Sequence, residues 1–186
     1  MIPLPEALQE AWEAEWKPVG TGSLVGVGLG WALLALLILT GAESGWVPLL
    51  DGVNLLFHEA GHPLFGIFGW ETLAILGGTL LQLLVPLLVL GSFWLRREAP
   101  GVAAAGIWAF ENLLNIARYV ADARAQVLPL VGGGEHDWAT LLGQWGLLRQ
   151  DQALAAGLRA FGWLGMVTCL GWLAWRWWDT RAAGAQ

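Results

Sequence analysis

Apolar residues in this chain come in long, nearly uncharged blocks, not in the one-sided stripes of a water-facing helix or the alternation of a half-buried strand. Blocks of this kind cannot all face one water-shielded core. At about 1.5 Å per residue, roughly 20 apolar residues cross a hydrocarbon layer about 30 Å thick. The pattern therefore predicts an all-α fold, a polytopic bundle of membrane-spanning helices.

The blocks predict about five transmembrane helices in a single membrane domain that covers residues 1–186. The predicted spans lie at about 23–42, 52–69, 72–95, 101–128 and 153–178, with a polar loop at 130–152. Ahead of the spans, residues 5–17 place Leu8, Trp12 and Trp16 four residues apart among glutamates. This spacing predicts an amphipathic helix that lies on the membrane surface.

Composition supports a membrane location. Hydrophobic residues make up 56% of the chain and charged residues only 13%, about half the charged fraction of soluble domains. Most of the fourteen tryptophans stand near block ends, where aromatic side chains favour the membrane interface. The sequence has no basic patch of the kind that binds nucleic acid. We expect a multi-pass integral protein of an inner or plasma membrane, surrounded by the lipid bilayer.

The second predicted span contains the sequence His58-Glu59-Ala60-Gly61-His62. Histidines four residues apart project from one face of a helix and can bind one metal ion, while Glu59 lies close enough to take a proton from an acidified water. A charged group at mid-membrane costs roughly 2.5 to 3.5 kcal/mol, so three titratable side chains in one turn need compensation. The motif predicts Zn²⁺ ligands at His58 and His62 and a catalytic base at Glu59; the alternative is two histidines satisfied by packing.

A third metal ligand has three candidates. The fourth predicted helix carries a polar stripe at spacings of four, three and four residues: Glu111, Asn115, Arg118 and Asp122. Contact of this stripe with lipid would be costly, so we expect it to face the bundle interior. There its side chains either lie at the metal or form a packing network in which their charges neutralise one another. Glu111 is nearer the estimated depth of the histidines, Asp122 is nearer the water, and His136 would have to fold inward from the polar loop.

Residues 54–66, which read Asn-Leu-Leu-Phe-His-Glu-Ala-Gly-His-Pro-Leu-Phe-Gly, resemble the site-2 protease family of membrane-embedded zinc metalloproteases. The pair Gly77-Gly78 in the next span is similar to the glycine-rich third helix of that family. The resemblance implies zinc ligands at His58 and His62, a base at Glu59, and a later-helix aspartate as third ligand. The family's Asn-Pro pattern around that aspartate is missing from this sequence. We expect Asp122 to be the third zinc ligand, with Glu111 and His136 as alternatives.

The leading hypothesis is an intramembrane zinc metalloprotease that hydrolyses peptide bonds of membrane-spanning or membrane-adjacent proteins. Substrates would then be selected by the bundle, by the 130–152 loop or by a membrane partner subunit. The alternative is a non-catalytic membrane protein whose structural metal site serves a larger assembly. Metal transport ranks last, because the strong ligand pair occupies one helical turn and not a path through the bilayer.

Overall fold

A computed structural model of the protein describes residues 10, 12–41, 46–131 and 134–183. These residues form helices and no strand, which confirms the all-α prediction. In chain order the helices are α1 (Thr21–Thr40), α2 (Pro48–Gly66), α3 (Glu71–Leu95), α4 (Ala99–Ala121), α5 (Asp137–Gln144) and α6 (Asp151–Ala183), with a 3₁₀ turn at Leu148–Gln150 before α6. Of the surface helix expected at 5–17, residues 10, 12 and 13 are helical and residues 14–17 are not, while 5–9 and 11 lie outside the described residues.

Within the described ranges, three helices are long and apolar enough to cross a membrane: α1, α3 and α6. Their outer faces expose large apolar side chains, such as Leu29, Leu88 and Leu164, which are 66%, 63% and 64% exposed. Soluble proteins rarely expose so much contiguous apolar surface. The fold is therefore that of a membrane protein, in which α2 and α4 lack an apolar stretch comparable to those of the other three long helices.

The fourth predicted span, 101–128, ends earlier than expected, at Ala121. The Asp122 carboxylate accepts hydrogen bonds from the backbone N–H groups of Val127 and Leu128, each at 3.0 Å. These bonds stabilise a turn in place of further helix, because a side-chain acceptor satisfies N–H groups that an α-helix would pair internally. The chain consequently leaves the bundle near Asp122.

The polar loop predicted at 130–152 contains a short helix, α5. The His136 Nδ1 atom accepts a hydrogen bond from the N–H of Ala139 at 3.2 Å and caps the helix start. Leu141 and Leu142 are buried, and Leu142 packs with Ile116 and Ala155 of the neighbouring helices. Burial of these leucines holds α5 against the bundle.

Helix α4 packs against α3 on one side and α6 on the other, and small residues allow the close approach. A Cβ atom at Gly162 of α6 would lie 2.9 Å from the carbonyl oxygen of Phe110, and one at Gly165 would overlap the Phe110 ring. The start of α4 is also anchored, because the Arg97 guanidinium lies 5.2 Å from the Trp16 ring and Trp16 lies 4.9 Å from Trp94. These contacts fix α4 in the middle of the bundle.

Helices α2 and α3 approach each other even more closely, at a contact between glycines. A Cβ atom at Gly61 would lie 2.8 Å from the Cα of Gly78 and still nearer to the carbonyl group of Gly77. A Cβ atom at Gly78 would lie 2.8 Å from the imidazole rings of His58 and His62. The glycines therefore provide the space in which both histidine rings lie between the two helices.

We predict that Gly61→Ala lowers the stability of the bundle by about 1 to 3 kcal/mol, because the added methyl group overlaps the α3 backbone. The matched control is Gly28→Ala in α1, where nothing lies within 4 Å of the added carbon. Thermal unfolding in detergent measures both variants. Equal unfolding midpoints for the two would contradict the close contact of α2 with α3.

Candidate metal centre

The two motif histidines lie side by side on α2. His58 and His62 are one helical turn apart, and their ring centroids are 4.9 Å apart in an edge-on arrangement. His58 is buried, whereas the His62 side chain is 27% exposed. Both rings turn towards Gly78 of α3, so the pair occupies the narrow layer between α2 and α3.

A carboxylate from outside the long helices completes the cluster. Oδ2 of Asp137, the first residue of α5, lies 2.8 Å from Nε2 of His58 and 3.3 Å from Nε2 of His62. The donor atoms of the three residues lie within 4.8 Å of one another. Burial by itself would raise the pKa of the Asp137 carboxyl, but the two imidazoles together lower that pKa below its ordinary value, so Asp137 is negatively charged.

The structure places Asp137, and not the expected third ligand Asp122, beside the two histidines. The Asp122 oxygens are occupied at the turn after α4, and Oδ2 lies 3.3 Å from Nε2 of His136. The alternative Glu111 accepts a hydrogen bond from Asn54 at 3.0 Å, deeper in the bundle. The alternative His136 caps α5 and faces Asp122, so none of the three candidates joins the cluster.

The last turn of α4 holds α5 in position. The backbone N–H of Asp137 donates a hydrogen bond to the Tyr119 hydroxyl at 3.1 Å. The Tyr119 ring centroid also lies 4.2 Å from that of His136, whose Nε2 faces Asp122. Tyr119 was not among the residues predicted from the sequence, because a single tyrosine in an amphipathic helix gives no signal of its own.

The donor atoms of the cluster fit a metal ion. His62 donates its Nδ1–H to the carbonyl oxygen of Ala74 at 3.0 Å, because a carbonyl can only accept. Nε2 of His62 therefore remains for the other side of the ring, and it faces the same Asp137 oxygen as Nε2 of His58, at 3.3 and 2.8 Å. Such convergence calls for positive charge among the groups, supplied either by protons on the imidazoles or by one divalent ion, and the nitrogen and oxygen donors are ones that zinc accepts.

Two cavities adjoin the cluster, and Glu59 lines both of them. One has a volume of about 270 Å³ and is bounded by His58, His62 and Asp137. The other has a volume of about 530 Å³, begins at His58 and Glu59 and is walled mainly by apolar side chains. Glu59 thus lies between the candidate ligands and a space large enough for part of a polypeptide.

Comparison of the chain with protein-family models, curated proteins and solved structures gave no match. The chemistry of the site consequently follows from its own donor atoms and cavities.

We predict that Asp137→Ala lowers the zinc affinity by more than about 100-fold. Removal of a residue that only orients a ligand lowers the affinity ~10- to 100-fold, and removal of a ligand itself should cost more. Asp122→Ala should weaken binding by the smaller factor, because Asp122 acts through His136 and α5. Asp179→Ala, which removes an exposed partner of Arg176, is the control and should bind as wild type. Zinc titration of the purified proteins gives the ranking, and a larger loss for Asp122→Ala would refute the assignment of Asp137.

Proposed function

We propose that the protein is an intramembrane zinc metalloprotease that hydrolyses peptide bonds in membrane-spanning or membrane-adjacent segments of other proteins. The observation that carries this proposal is the convergence of His58, His62 and Asp137 next to Glu59. Among the described residues, no further histidine, cysteine or acid joins the cluster. Three protein ligands with a free position are the pattern of catalytic zinc sites, whereas structural zinc sites are closed by four.

The chain's own residues have separate tasks in this proposal. His58, His62 and Asp137 hold the ion, which when bound makes water more acidic and polarises a carbonyl group. The Glu59 carboxylate takes the proton of the attacking water and delivers it to the nitrogen of the leaving amine. The half-buried position of Glu59, beside both cavities, supports this role. The resemblance of residues 54–66 to the site-2 protease family supports the same assignment.

The larger cavity supports an apolar substrate. Its walls include Leu55 of α2, Ile116 of α4 and the non-helical segment 128–131, which reads Leu-Pro-Leu-Val. Burying apolar side chains there is favourable by about 25 cal/mol per Å² of surface removed from water. A membrane-derived peptide segment supplies such side chains, so the cavity and the lipid environment favour the same class of substrate.

We further propose that α2 and α4 lie within the membrane together with α1, α3 and α6, in an inner or plasma membrane. The packing of α2 on α3, and of α4 between α3 and α6, supports five membrane-embedded helices. The polar residues of α4 turn inward in this arrangement: Glu111 is buried, and the Arg118 guanidinium lies 4.5 Å from the Trp46 ring. Apolar helices around this polar centre would separate it from lipid.

We predict that Glu59→Gln retains zinc but cleaves at least about 100-fold more slowly, because the amide keeps the shape of the side chain and cannot accept the proton. The matched control is Glu71→Gln, the same change at the exposed start of α3, which should cleave as wild type. Synthetic single-span apolar peptides, reconstituted with the purified protein, serve as substrates.

Two results would count against the protease. If Glu59→Gln cleaved as fast as Glu71→Gln, Glu59 would not be the base. If the zinc-loaded wild type cleaved none of the peptides, the non-catalytic alternative, a structural metal site in a larger membrane assembly, would replace the proposal.

A further inference from the structure

The larger cavity contains a cation, Arg118, which lies in the last turn of α4 and lines the same space as His58 and Glu59. Three other basic side chains of the protein pair with carboxylates at 2.7 to 3.1 Å: Lys17, Arg124 and Arg176. Arg118 forms no such pair within the part of the chain that the structure describes, and its buried Nε atom has no hydrogen-bond partner there. Its N–H donors are therefore available to a molecule in the cavity.

Three acids lie near Arg118, but their oxygens are engaged elsewhere. The Asp122 oxygens accept two backbone N–H groups, each at 3.0 Å. The Asp51 oxygens accept a backbone N–H at 2.7 Å and the side-chain amide of Asn115 at 2.9 Å. Asp51 and Glu111 also hydrogen-bond each other, which requires a proton on one of the two carboxyl groups. These acids lower the electrostatic potential at Arg118 from a distance, and none of the three is hydrogen-bonded to its guanidinium.

The surroundings of Arg118 suit recognition of a planar anion. The guanidinium lies 4.5 Å from the centre of the Trp46 ring, and Trp46 lines the same cavity. Stacking on an aromatic face fixes the plane of a guanidinium and leaves its edge, a fork of N–H donors, to match the two oxygens of a carboxylate. The end of α4 also favours a cation through the helix dipole. The charge is thus stabilised in place before any ligand arrives.

We propose that Arg118 binds a carboxylate of the substrate and thereby determines which peptide bond lies beside Glu59. This inference rests on the proposed function and names the substrate class: an apolar segment that bears a carboxylate, either on an aspartate or glutamate side chain or at the end of the peptide chain. An ionisable side chain in a membrane-embedded cavity ordinarily serves a ligand, because the cost of placing it there needs a return.

The rest of the cavity favours a ligand that is apolar except for one anionic group. Apolar residues such as Leu55, Ile116 and Leu130 form most of the walls, and Arg118 is the one arginine or lysine among the lining residues. Arg118 and Glu59 lie on two packed helices, so the distance between the carboxylate site and the proposed catalytic base is fixed. A fixed distance converts into a fixed number of residues between the bound carboxylate and the cleaved bond.

The test uses single-span apolar peptides that differ only in the position of one aspartate, moved residue by residue, each with an asparagine counterpart. With the zinc-loaded wild type, we expect the cleaved bond to move with the aspartate. At the best position, kcat/KM should exceed that of the asparagine peptide about 10- to 100-fold, the usual effect of a hydrogen bond between charged groups. Peptides with a free or an amidated C-terminus show whether the chain end is an alternative source of the carboxylate.

Three variants assign the preference to Arg118. Arg118→Gln should cleave the aspartate and asparagine peptides equally, at the rate of the wild type on asparagine peptides. Arg118→Lys should retain part of the preference, because it keeps the charge and loses the planar fork. The matched control is Arg149→Gln, which removes an exposed arginine that does not line the cavity and should keep the full preference.

Binding of fluorescently labelled peptides to Glu59→Gln, measured by anisotropy in detergent, separates this inference from the proposed function. A preference for aspartate in binding, with no cleavage by the zinc-loaded wild type, would refute the protease and support the carboxylate site. In the Glu59→Gln background, Arg118→Gln should remove the preference and leave the affinity for asparagine peptides unchanged.

Three results would overturn the inference. If Arg118→Gln weakened binding of both kinds of peptide equally, Arg118 would serve only the packing of the bundle. If the preference for aspartate survived in Arg118→Gln, another group would bind the carboxylate. If Arg118→Gln lowered the affinity for phosphatidylglycerol in mixed micelles and left both peptides unaffected, the occupant would be a lipid headgroup.

Discussion

The contact of α2 with α3 at Gly61, Gly77 and Gly78 decides where the other polar groups of the site can lie. Because the two backbones almost touch, the rings of His58 and His62 are held between the helices, where His58 is buried and His62 is only partly exposed. Polar groups in such a place must find partners within the protein, since an unpaired buried group costs more than a hydrogen bond contributes. The partners come from α3 on one side and from α4 and α5 on the other.

The site is built from two separate parts of the chain. Two of its three candidate ligands lie on a long helix inside the bundle, and the third begins a helix of eight residues. Tyr119, Asp122 and His136 connect this short helix to the end of α4. The cluster can therefore form only when the segment after α4 has folded back, so binding of the proposed metal ion would be coupled to the docking of α5.

Sequence patterns predicted the long helices, the pairing of His58 with His62 and the inward stripe of α4, because these follow from periodicity and from the cost of polar groups in lipid. They did not predict Asp137. Its helix is too short to give a periodic signal, and a linear sequence does not show how the chain returns after its glycine run at 132–134. Two of the candidate ligands, Asp122 and His136, proved to be partners of each other, because the turn after Ala121 brings them within 3.3 Å.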